Sequence, residues 1–247
     1  MNNKEMFTWE DLLSSAARLQ KIIPEAVLVG GTAAAIYAHH RVSFDADHVV
    51  YDLQERFYEV LSELESISGW ETNRIKTPVL ILGKLDGIDT GVRQLIRKAP
   101  LETEVVQYSE INIVVPTMEE ILRIKGLLII KRNAARDYLD FVALSEGLGE
   151  RKTCHALTKF DDLYPQRNEE SALMQLQIQL AKPIPFDLEE TDLSAYKNLL
   201  PKWQNWETVE NMCVRTSLIL AKVLEAPYEK NVINETTTGV FDSDPQQ

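Results

Sequence analysis

The chain has 247 residues and a formal net charge of −12, with 45% hydrophobic and 26% charged side chains. That balance excludes global disorder and suits one or two globular domains with a sizeable core. No apolar run approaches the roughly 20 residues that span a bilayer, and the opening MNNKEMFTWED has no signal-peptide core, so no membrane association is expected. Cys154 and Cys213 are too few for a disulfide framework or a zinc site, which points to a reducing cytoplasm. The acidity argues against tight nucleic-acid binding by the surface as a whole. A local basic patch, or a basic partner protein, stays open.

Thr8 is placed to cap a first helix with Asp11 three residues on, and Leu12, Leu13, Ala16 and Leu19 follow at helical spacing. Val27 to Tyr51 then reads as strand, glycine turn, helix, loop and strand. Gly30 and Gly31 let the backbone come close to a bulky anion, and the N–H groups opening the next helix point at it. In an extended segment Asp45 and Asp47 share one face while Ala46 and His48 point the other way. Two adjacent carboxylates repel unless a cation lies between them, and hard oxygen ligands suit Mg²⁺. A glycine pair, a helix and an Asp-x-Asp strand, here with Thr32 to Phe44 as a thirteen-residue spacer, resemble the signature of the polymerase-β-type nucleotidyltransferase superfamily.

Leu53 to Leu64 gives another amphipathic helix, ended by Gly69. From Trp70 the pattern becomes β, with short runs at Val79–Leu82, Gly87–Val92, Glu104–Val106 and Ile111–Val115 that predict a sheet. Within it Asp89 falls in step with Gly87 and Gly91, leaving open room over that face, while Asp86 points oppositely. Asp89 is the preferred candidate for a third carboxylate and Asp86 the alternative.

Thr117 caps the next helix with Glu120 at the capping-box position. Lys125 sits in the middle of its apolar face and must either snorkel or meet an anion. Asp137 and Asp140 share one edge of the following helix, Ala134 to Leu148. Either they pair with Arg132 and Arg136, or one reaches a site. Beyond Gly149 the chain reads as helical to about Leu224, broken at Pro165, Pro183-Ile184-Pro185 and Pro201, with Trp203 and Trp206 in the core. Cys154 and His155 are assigned no role. The polar, aperiodic end is expected to be disordered.

The region from about residue 25 to 147 resembles the nucleotidyltransferase family of AbiEii/AbiGii-type toxins. The likeness rests on Gly30-Gly31-Thr32-Ala33, on His40-Arg41-x-Ser43-x-Asp45-x-Asp47, on Glu119 to Lys125, and on Arg132 with Arg136-Asp137-Tyr138-Leu139-Asp140. It implies an α+β fold, with a mixed sheet flanked by helices and then a helical C-terminal region. The implied divisions are 1–116 as nucleotidyltransferase core, 117–225 as helices completing the active site, and 226–247 as a disordered tail.

The resemblance places catalysis on Asp45, Asp47, Asp89, Lys125 and Asp137. Nucleotide binding falls on Gly30, Gly31, Thr32, Ser43 and Lys125, with Mg²⁺ on Asp45, Asp47 and Asp89. The implied reaction moves a nucleoside monophosphate from an NTP to a hydroxyl, on RNA such as a tRNA 3′ end, with a cognate antitoxin as partner. Arg93, Arg97, Lys98, Lys131, Arg132 and Arg136 either touch RNA phosphates or form a solvated face. Two competing readings are a small-molecule transferase of the aminoglycoside-modifying kind and a non-catalytic member that binds nucleotide or a partner.

Overall fold

The computed structural model describes residues 7–167 and 170–225; the tail expected at 226–247 lies outside the described residues. In chain order the elements are α1 (Trp9–Ile22), β1 (Val27–Leu28), α2 (Gly30–Ala38), β2 (Ala46–Val50), α3 (Leu53–Glu65), β3 (Trp70–Lys76), β4 (Leu80–Leu85), β5 (Ile88–Gln94), β6 (Thr103–Tyr108), β7 (Ile111–Pro116), α4 (Met118–Arg132), α5 (Ala135–Leu157), α6 (Phe160–Leu163), α7 (Ala172–Ala181) and α8 (Trp206–Glu225). Thr8 opens α1 with a capping box: its hydroxyl accepts from Asp11 N at 3.1 Å, and its own N–H donates to the Asp11 carboxylate at 2.8 Å.

The main sheet runs β1-β2-β5-β4-β3. Its β2–β5 pair is parallel and the other pairs are antiparallel. With helices packed against it and a helical C-terminal region behind, this is the α+β arrangement expected. One detail differs. The β6–β7 hairpin is a separate two-stranded sheet, because the Gln20 side chain of α1 satisfies the backbone of Val114, donating to its carbonyl at 2.7 Å and accepting from its N–H at 2.8 Å. Strand β3 falls at the start of the stretch from Trp70 expected to be β, ahead of the individual runs named there. It is a polar, largely exposed edge strand whose residues show no apolar alternation.

One core lies where α1 and α3 meet the sheet, through Leu19, Ile23, Phe57, Val60, Leu64, Ile81 and Val92. The second lies within α4, α5, α7 and α8 and extends to Ala33 and Ala34 of α2. The small residues of α2 therefore join the two halves, and the glycine turn sits at that joint. His48 points away from Asp47, as parity requires, and is fully buried. Burial pulls its pKa down to about 4, so the imidazole stays neutral.

Residues 182–205 depart most from expectation. They form an extended strap with short 3-10 turns at Leu193–Ala195 and Pro201–Trp203, since Pro183, Pro185 and Pro201 each remove a helical donor. The strap is pinned at both ends. Near α5, Asn133 donates to Ile184 O at 2.7 Å and the Asp187 carboxylate accepts from Ala135 N at 2.8 Å. Further on, Val42 N donates to Lys197 O and Leu200 N to His40 O, both at 2.9 Å. Trp203, 1% exposed, anchors it in the helical core. Trp203→Ala should lower the unfolding free energy by about 3–5 kcal/mol, measured by urea denaturation.

Candidate active site

A cavity of about 660 Å³ opens where the glycine turn, the start of β2, the end of β5, α4 and the strap meet. Gly30 begins α2 at φ +77°, a conformation that penalises a side chain, and lies against Asp47, whose Cβ is 3.7 Å from where a Cβ on Gly30 would stand. The residue before it, Val29, supplies no side-chain cap. The first N–H groups of α2 are therefore left for water or a ligand. Both glycines line the cavity, as do Ser43, Asp45, Asp47 and Lys125.

Asp47 lies on β2, and Asp45 stands two positions earlier, immediately before the strand begins. Burial and the charges of Asp47 and Asp89 raise the Asp45 pKa, against the pull of Arg136 and Arg41. Asp47 is 3.5 Å from Arg93. On β5, Asp89 sits one step before the Ala46–Thr90 parallel pair, which places it alongside Asp45, and Lys84 approaches it at 3.9 Å. Asp86 is elsewhere, in the β4–β5 turn, ion-paired with Arg18 of α1. Among the described residues no group of three or more His, Cys, Asp or Glu is gathered closely enough to hold a metal ion. The carboxylates that face the cavity are thus the pair Asp45 and Asp47, with Asp89 at its flank.

Thr32 was expected to offer its hydroxyl to a phosphate. It is fully buried, and the hydroxyl donates instead to the Asp45 carbonyl at 2.6 Å. Its side chain positions the aspartate strand relative to α2.

Behind the cavity lies a buried charge cluster centred on Asp140. Its carboxylate accepts from Arg41 at 2.8 and 2.9 Å and from His40 Nε2 at 2.7 Å, and meets Lys125 Nζ at 2.6 Å. Burial alone would push the Asp140 pKa up; Lys125, Arg41 and His40 outweigh it and hold the group well below the usual carboxylate range. Asp137 is also fully buried and bonds Arg132 Nη2 at 2.6 Å, with Lys125 at 3.5 Å. It acts on the cavity through those two cations and does not line the cavity itself.

Lys125 thus meets anions and does not snorkel. Arg41 bridges outward: a Cβ on Gly31 would stand 2.5 Å from Arg41 Nη2 and 3.0 Å from Ser43 Oγ. Sequence reasoning left Asp140 either pairing with Arg132 and Arg136 or reaching a site, and gave Arg41 and His40 no individual role; in the structure Asp140 pairs instead with Arg41, His40 and Lys125. Their signal was the pairing of His40-Arg41 with Asp140 across about a hundred positions, which a single chain does not display.

Of the other basic residues, Arg97 is buried and bonds Glu120 at 2.9 Å, and Lys131 donates to Gln166 at 3.2 Å. Glu120 also takes Arg123 at 2.9 Å, so its side chain turns inward and does not close a capping box. Lys98 is exposed outside the cavity wall. Arg136 lines the cavity but does not pair with Asp137 or Asp140.

No protein-family model matches the chain. It is 27% identical over 135 residues to the mycolic acid-containing lipids exporter MmpL11 of Mycolicibacterium smegmatis, a match covering 53% of this chain and 14% of that protein. The chain therefore spans about a seventh of that relative's length. Among the described residues no helix is long and apolar enough to cross a membrane. Among solved structures it is similar to JHP933 of Helicobacter pylori, with a TM-score of 0.49 and 19% identity over 87% of this chain and 91% of that one. It is also similar to an antigenic nucleotidyltransferase-like protein of Paracoccidioides brasiliensis, with a TM-score of 0.43 and 17% identity over 68% of this chain and 93% of that one. The chemistry of the site stands on its own residues.

Asp140→Asn should destabilise the fold by about 3–5 kcal/mol, because Lys125 and Arg41 lose their shared anion inside the protein. The folded pKa of Asp140 is depressed, so its stabilisation is complete above the unfolded value of 3.8 and is lost as pH falls through the folded value. Urea titrations across the acid range should show a steeper loss below about pH 4 for wild type than for the variant.

Proposed function

We propose that the chain is a nucleotidyltransferase of the polymerase-β type, moving a nucleoside monophosphate from an NTP to an acceptor hydroxyl with release of pyrophosphate. One observation carries this reading: a helix start with no side-chain cap, built on Gly30 and Gly31, lies within van der Waals reach of one of two paired carboxylates in a single cavity.

In this reading the triphosphate lies on the N–H groups of the glycine turn, with the Ser43 hydroxyl, Arg41 and Lys125 on its oxygens. Lys125 and Arg41 are held by Asp140 before substrate arrives, so they offset charge developing on the leaving pyrophosphate with little reorganisation. Asp45 and Asp47 suit Mg²⁺: their donors are hard carboxylate oxygens, and the Asp45 pKa is raised first by burial and then by the charges of Asp47 and Asp89, a destabilisation of the anion that a divalent cation relieves. When bound, Mg²⁺ supplies Lewis-acid polarisation and charge neutralisation. Asp89, flanking the pair, is placed to orient the acceptor hydroxyl and take its proton as the new O–P bond forms and the bond to pyrophosphate breaks.

For the acceptor we favour RNA, such as a tRNA 3′ end, in keeping with the toxin-family resemblance and a cognate antitoxin. Two of the cations on the cavity wall, Arg136 and Lys197, make no ion pair among the described residues, which disfavours a polycationic acceptor such as an aminoglycoside.

The test is transfer from each of four α-³²P-labelled NTPs with Mg²⁺ and total RNA. Label should enter small RNA with wild type and be lost with Asp45→Ala/Asp47→Ala; wild type leaving all RNA unlabelled rejects the reading. In the same assay Gly31→Ala should reduce transfer by about tenfold or more, because the added methyl displaces the Arg41 guanidinium from the turn.

A further inference from the structure

Five of the seven cations on the cavity wall are already ion-paired, with four carboxylates between them. Arg41 and Lys125 pair with Asp140, Arg132 with Asp137, Arg97 with Glu120, and Arg93 with Asp47. Among the described residues, Arg136 and Lys197 make no ion pair. Both line the same cavity. Arg136, exposed at the start of α5, shares the cavity wall with Tyr196 of the strap. Lys197, next along the strap, holds its ammonium 4.6 Å from the centroid of the Phe44 ring, the residue before Asp45. The strap backbone fixes this arrangement through the Val42 to Lys197 hydrogen bond.

The location assigns these charges a role distinct from that of the glycine turn. Gly30 lies against Asp47, whereas Phe44, beneath the Lys197 ammonium, directly precedes Asp45. Resting on the transferase reading, in-line displacement places the attacking hydroxyl opposite the leaving pyrophosphate. If the triphosphate occupies the Asp47 side, the acceptor enters from the Asp45 side, past Arg136 and Lys197.

We propose that Arg136 and Lys197, with Phe44 positioning the lysine, form an acceptor subsite that binds a backbone phosphate of single-stranded RNA next to the reacting hydroxyl. The strap, a segment outside the resembling region, then selects the acceptor. Two unpaired cations at the rim suit one or two phosphodiesters, and this local charge supplies the RNA contact that an acidic surface cannot.

The subsite can be read without turnover. Anisotropy of a 5′-fluorescein single-stranded RNA octamer is measured from 50 to 300 mM salt, and calorimetry with tripolyphosphate reports the triphosphate corner separately. Arg136→Gln and Lys197→Gln should each weaken octamer binding by about fivefold and lower the slope of log K against log salt by about 0.7, with tripolyphosphate affinity changed less than about twofold. Lys197→Arg should retain binding. Wild type that does not bind the octamer, variants that bind it as wild type does, or a loss of tripolyphosphate affinity in place of octamer affinity would each overturn the proposal. Failure of the transferase reading appears instead in the labelling experiment, where octamer binding can persist without transfer.

Discussion

The carboxylate of Asp140, sealed from solvent with Lys125, Arg41 and His40 around it, is the constraint on which the site depends. An unpaired carboxylate could not stay ionised there, nor could the two cations stay charged without it. The cluster brings α4, α5 and the loop between α2 and β2 to a common point, and each contributes a charged group that satisfies the others. Such a cluster need not add net stability over an apolar replacement. Its consequence is placement: two cations reach the cavity in fixed positions, with their long side chains ordered in advance.

The loop from His39 to Phe44 shows how this placement spreads. Its inner side is held by Asp140 through His40 and Arg41, and its outer side by the strap through the backbone of His40 and Val42. Asp45 follows directly. Its carbonyl accepts from Thr32, so the strand of aspartates is referenced to the helix that begins at the glycine turn. The separation between the glycine turn and the carboxylates is therefore set by buried hydrogen bonds and not by the exposed side chains themselves.

This also explains what could be read from the sequence. The glycine turn and Asp45-x-Asp47 were legible because their chemistry depends on residues close in the chain, and helix and strand periods place them on one face. The first helix and its Thr8 cap were legible for the same reason. Lys125 was legible as a problem, a lysine on an apolar face, but its solution, Asp140, lies on another helix. Arg41 meets that aspartate 99 positions away, and periodicity carries no information over that distance. The strap was misread as helix because its apolar residues mimic helical spacing between prolines. Its actual course depends on hydrogen bonds to Asn133, His40 and Val42 that only the folded chain brings within reach.

The charge distribution resolves an apparent conflict. A net charge of −12 suits solubility and opposes broad adhesion to polyanions, yet the cavity wall is rich in Arg and Lys. Most of those cations are spent on buried carboxylates, so the field reaching a ligand comes from a few groups in a concave, partly desolvated space, where it is least screened. An acidic exterior around a cationic mouth rejects polyanions everywhere except at that mouth. On the proposed transferase reading, such a distribution directs an anionic chain to the cavity and away from the rest of the surface.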